Sequence, residues 1–185
     1  AKQETGLPYQ IWIMNADGSG QTRLTNSATT DLNPSWRPDG QKIIFSRCDA
    51  NIVCDIYTMD PNGSNVAPLS AANTANDESL PRYSPNGQRI LFGCSTGGSA
   101  YMNANICGAN ADGTNRTLIT NTTSPVVNYV AEFSPDGTKI AFTRRTGTDA
   151  TTREIYVINS NGTGENRLTN NAFGDYNSFW SPDGQ

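Results

Sequence analysis
The chain has 185 residues, 16% of them charged, with a net charge of −4 and no histidine. That balance offers no basic stripe to a phosphate backbone, so nucleic acid is not an expected partner. No apolar run reaches the roughly 18 residues of a membrane-spanning helix, and the N-terminus lacks the charged-then-apolar order of a leader.

Read in chain order, the first element is an apolar run ending Ile11-Trp12-Ile13-Met14, followed by the turn mark Asp17-Gly18-Ser19 and a short run, Arg23-Leu24-Thr25. A polar segment then leads into Trp36-Arg37-Pro38-Asp39-Gly40. Lys42-Ile43-Ile44-Phe45 follows, short and rich in β-branched and aromatic residues as strands are. Ile56-Tyr57-Thr58-Met59, Asn62-Gly63-Ser64 and Pro68-Leu69-Ser70 close this unit. The same grammar returns around Tyr83-Ser84-Pro85-Asn86-Gly87 and Phe133-Ser134-Pro135-Asp136-Gly137, and begins again at Trp180-Ser181-Pro182-Asp183-Gly184. The turn glycines 40, 87, 137 and 184 stand 47, 50 and 47 residues apart. Two turn marks per repeat predict hairpins, with Asn-Gly and Asp-Gly supplying positive φ at tight turns. Four short strands per repeat, without helical periodicity, describe an all-β propeller of four-stranded antiparallel blades. A sandwich has no such repeat, and solenoid coils are shorter.

The pattern aromatic-Ser-Pro-Asp-Gly-x-Lys-Ile-x-Phe, then Ile-Tyr-x-Met-Asn-x-Asp-Gly-Ser/Thr, then Arg-Leu-Thr resembles the TolB-like β-propeller repeat family, from Tyr9 to Gln185. A single domain over 1–185 is expected, with blades at about 32–70, 79–120 and 129–169. A composite blade joins 9–26 to a single strand within 176–185. Its second strand is missing, which leaves three readings open: a segment of a larger propeller, a four-bladed ring with a three-stranded closing blade, or a homodimer joined through open strand edges. The resemblance also implies a periplasmic or secreted, non-catalytic scaffold that binds a protein or peptide at the channel mouth.

The cysteines agree with that compartment. Cys48 and Cys54 bracket one strand connection and Cys94 and Cys107 the next, so the expected pairing is Cys48–Cys54 and Cys94–Cys107, among three connectivities that four cysteines allow. In the third blade the matching loop carries Arg144, Arg145, Arg153 and Glu154 instead. Neither spacing is that of a zinc site.

Without histidine, Ser-His-Asp and Cys-His catalysis and His-based metal centres are excluded within this chain, and no enzyme is expected. Five residues before the repeat aromatics stand Asp31, Glu78, Asn128 and Asp175. If these oxygens converge at the channel they suit a hard cation such as calcium; otherwise they start strands and cap loops. Three residues before the aromatics stand Asn33, Leu80, Val130 and Asn177. Trp12, Trp36 and Trp180 read as inter-blade core. The irregular loop carrying Tyr101 and Met102 is a candidate binding loop. The alternative function is a carbohydrate- or ligand-binding propeller, or a fragment of a polysaccharide-active enzyme. Aromatic platforms at Trp12, Tyr57 and Tyr156 would serve it, but the series is broken by Cys107.

Overall fold
The computed structural model describes residues 1–95, 104–147, 149 and 152–184. Two short strands come first, β1 (Trp12–Ile13) and β2 (Thr22–Arg23), paired as a two-stranded sheet. The first blade follows: β3 (Thr30–Trp36), β4 (Ile43–Cys48), β5 (Cys54–Met59) and β6 (Ala67–Pro68). The second is β7 (Glu78–Tyr83), β8 (Arg89–Ser95), β9 (Ala104–Asn110) and β10 (Thr117–Leu118). The third is β11 (Val127–Phe133), β12 (Lys139–Arg145), β13 (Arg153–Asn159) and β14 (Asn166–Arg167). Each is antiparallel and paired in chain order, as a propeller blade is.

The second strand of each blade is apolar on both faces because both faces are covered. In the second blade, Ile90 and Phe92 pack on Ile44 and Ile56 of the first, while Leu91 joins Ile140 and Phe142 of the third. Phe45, Phe92 and Phe142 are all buried, and each such burial contributes about 1.5–3 kcal/mol. The outer strands form only two ladder pairs each, and Pro68 is tolerated there because an edge strand can lack an amide donor.

The turns set the stacking. Each Asp-Gly or Asn-Gly mark is a three-residue loop, as Asn15 N–H to Ser19 O and Gly18 N–H to Asn15 O show. Only its glycine is left-handed. The preceding Asp or Asn stays right-handed and its side chain accepts the amide two residues on, Ser19 N–H to Asp17 at 2.9 Å being one case. The positive φ expected of the Asn-Gly and Asp-Gly pairs is thus supplied by the glycine alone. Gly63 is required on two counts: its φ is +82°, and a Cβ would lie 2.6 Å from Leu24 O, just past the end of β2. The Pro-Asp-Gly turns stack likewise, Gly137 on Pro85 and Gly184 on Pro135.

The expected strand within 176–185 does not form among the described residues. The segment nonetheless docks on the third blade through Asp175 N–H to Arg153 O at 2.9 Å and Trp180 Nε1 to Glu132 O at 3.3 Å. An inner strand needs a second strand beside it, and the described residues after Arg167 contain no apolar run to supply one. Trp36 also departs from expectation, being 47% exposed rather than core.

Candidate functional site
The inner strand of every blade is broken at the same place. In β3, β7 and β11 the ladder slips between Leu32 and Ser35, Ser79 and Arg82, and Tyr129 and Glu132. A left-handed residue lies in each slip: Asn33 (φ 53°), Leu80 (56°) and Val130 (52°), with Asn177 (58°) continuing the series. Asparagine tolerates that region, whereas leucine and β-branched valine are strained in it. The preceding blade holds the bulge. Leu80 N–H donates to Ser46 Oγ at 3.1 Å and Asn177 N–H to Thr143 Oγ1 at 3.3 Å. Between the second and third blades the hydroxyl position is Gly93, and Gly93 lines a cavity of about 260 Å³.

All three blades contribute to this cavity. Leu32, Leu80, Val127, Ile52 and the Cys48–Cys54 disulfide give it apolar walls; Asp77, Tyr129, Arg145 and Arg153 are its ionisable lining. Asp77 is 1% exposed and accepts from Cys54 N–H at 2.8 Å and Ser79 Oγ at 3.2 Å. Burial pushes its carboxyl above the usual range, and Glu78 and Asp55 push the same way against those two hydrogen bonds. Tyr129 is raised by burial, while the charges of Arg153 and Arg145 pull it down. The Tyr129 hydroxyl and Arg153 Nε are buried without a hydrogen-bond partner. The Arg153 guanidinium lies 5.6 Å from the Tyr176 ring and has no carboxylate partner among the described residues.

A second network recurs from blade to blade. In the first blade Arg47 grips Asp31 at 2.7 and 2.9 Å and lies over Tyr57 at 4.6 Å. In the third, Arg144 donates to Asn128 at 2.7 Å, pairs with Glu165 and lies over Tyr156 at 4.5 Å. In the second blade the positions of that arginine and tyrosine are Cys94 and Cys107, joined as a disulfide. Arg116, at the place of Glu165, reaches Glu78 instead at 2.8 Å and lies 5.3 Å from Phe92.

The TolB beta propeller domain matches residues 1–128 of the chain. The chain belongs to this family. It is 37% identical over 81 residues, 43% of the chain, to the Tol-Pal system protein TolB of Rhizorhabdus wittichii, and 32% identical over 94 residues, 45% of the chain, to an uncharacterized protein of Agrobacterium fabrum. The aligned parts cover 18% and 31% of those relatives, so the similarity reaches only a minor share of either. The structure of putative TolB from Agrobacterium tumefaciens superposes over 95% of this chain and 62% of that one, with TM-score 0.74 and 23% identity. An oligogalacturonate lyase in complex with manganese superposes over 87% of this chain and 48% of that one, with TM-score 0.63 and 12% identity, which shows a shared fold alone.

On this TolB-type scaffold the four oxygen-bearing positions are engaged separately. Asp31, Glu78 and Asn128 are fully buried at the starts of their inner strands, each taken by an arginine, and Asp175 accepts from Asn171 Nδ2 at 2.6 Å. Among the described residues no three His, Cys, Asp or Glu side chains gather where they could hold a metal ion. The disulfides are Cys48–Cys54 and Cys94–Cys107. Tyr101 and Met102 lie outside the described residues. Asp77, Gly93 and Tyr129 were not singled out from the sequence; a glycine where the neighbouring repeats carry Ser and Thr was the available signal for the cavity.

Proposed function
We propose that this TolB-type propeller is a non-catalytic interaction module that holds an extended segment of a partner protein at the channel mouth. The cavity carries this reading: an apolar recess with a few convergent polar groups is the usual form of a binding site. Two disulfides support an oxidising compartment, periplasmic or extracellular. The carbohydrate reading has less support, because the rings it needs are covered by cations: Trp12 by Lys2 at 4.6 Å, Tyr57 by Arg47 and Tyr156 by Arg144.

Selection of displayed random peptides against the protein tests the proposal. Enriched peptides are expected to bind in the micromolar range of about −8 kcal/mol and to lose affinity in Ile52→Ser, a rim substitution at a residue already 53% exposed. A library without enrichment, or binders indifferent to Ile52→Ser, would count against it.

A further inference from the structure
The third blade differs from the other two at the end of its central hairpin. The positions where β4 and β5 place the cross-linked pair Cys48 and Cys54 hold Ser95 and Ala104 in the second blade, and Arg145 and Arg153 in the third. Arg145 and Arg153 stand directly opposite each other, and both line the cavity. Like charges facing across an antiparallel ladder repel, and a cation removed from water calls for an anion beside it. Arg153 has none among the described residues, and its Nε is a buried donor without an acceptor. The Tyr129 hydroxyl is a second such donor, in a side chain that feels both guanidinium charges. Three donor-bearing groups thus line a recess that also has the apolar side chains of Leu32, Ile52, Leu80 and Val127 in its walls. Asp77, the carboxylate of the lining, is turned onto Cys54 N–H and Ser79 Oγ.

We propose that this cavity binds a carboxylate carried on an apolar group, as at an acidic or C-terminal residue of a peptide. The inference rests on the peptide-holding reading and names the anchor it uses. The carboxylate lies beside Arg153 on the side facing Arg145, balances the Arg153 charge and accepts from Arg153 Nε and the Tyr129 hydroxyl. Its apolar carrier lies against Leu80, Val127 and Ile52. Gly93 makes the room: a Cβ there would meet only Ser79 O and Oγ, each at 3.5 Å, so the space can accept a side chain.

The test titrates the protein with hexanoate and, separately, with hexanamide, following the backbone amide resonances of Tyr129, Arg145 and Arg153. Hexanoate is expected to shift them saturably and to bind about tenfold more tightly than the amide, the scale of one charge-assisted hydrogen bond. Arg153→Gln should abolish the preference for the acid. Gly93→Ser should weaken both ligands while keeping or raising the melting temperature, which separates filling of the cavity from loss of fold. Equal responses to acid and amide, or a preference that survives Arg153→Gln, overturn the proposal. Selected peptides that bind Arg153→Gln as well as the native protein would overturn it and leave the interaction reading standing. Acid preference without any selected peptide would do the reverse.

Discussion
Asp77 carries a buried carboxylate whose oxygens meet only neutral donors, the Cys54 amide and the Ser79 hydroxyl. Its acidity is shifted upward, chiefly by burial, so the folded protein disfavours the ionised form. The sign follows: a raised carboxyl pKa costs stability at neutral pH, and the cost disappears as pH falls below the ordinary value of 3.8. Asp77→Asn preserves an acceptor for Cys54 and removes the charge. It is expected to raise the melting temperature at pH 7 by about 2–4 °C, with the gain shrinking toward zero in melts below about pH 4. A substitution that lowers the melting temperature equally at both pH values would show that hydrogen-bond geometry, not charge, matters there. Neither Asp77 nor Gly93 stands out in the sequence, because their importance lies in which blades meet around them. Asn33 and Asn177 were visible as polar residues, yet Leu80 and Val130 share their left-handed backbone. Backbone conformation, not polarity, is what that position has in common.

At the scale of the blade, the turn grammar and doubly buried second strands were legible because each is a local matter of glycine placement and apolar runs. The fate of the oxygen-bearing positions was not. Alignment of repeats says that Asp31, Glu78 and Asn128 are equivalent but not which way they face, and each is taken by an arginine near its own strand. The second blade reaches the same end by other means, replacing the arginine and tyrosine with Cys94–Cys107 and bringing Arg116 to Glu78. Reducing that disulfide, whose cysteines are 13 residues apart, should lower stability by about 3 kcal/mol on the loop-entropy estimate. The triple substitution C94R/C107Y/R116V copies the first blade, where Val66 occupies the place of Arg116. It should fold, with Cys48–Cys54 left as its one remaining cross-link to respond to reductant. C94R/C107Y alone places two guanidinium groups at Glu78, and should melt below the triple variant. Equal melting of the double and triple variants would show that the arginine-for-arginine exchange is not what balances this blade.

Across the whole molecule the turns carry carboxylates held below their ordinary range by partners close in space. Asp17, Asp112 and Asp136 are each held below the ordinary range first by a hydroxyl of their own turn, Asp39 first by Arg37 and Asp60 first by Lys42. Asp136 falls to about 2 from 3.8, through Ser134 Oγ and the amide and hydroxyl of Thr138. A depressed pKa contributes stability that is complete above the unfolded value and is lost as pH falls through the folded one. For Asp136 that window runs from 3.8 down to about 2. Asp55, Asp77 and Glu132 are shifted upward by burial and act oppositely, easing as pH drops toward the carboxylate range. The melting temperature should therefore hold or rise slightly from pH 7 to about pH 5 and fall steeply between about pH 4 and pH 2. Asn86 already occupies the turn position in the second blade, accepting from Ser84 Oγ at 2.8 Å and Gln88 N–H at 3.1 Å. Asp136→Asn should thus leave the melting temperature at pH 7 within a degree or so and make the acid decline shallower. A decline as steep as that of the native protein would place the acid lability outside this turn.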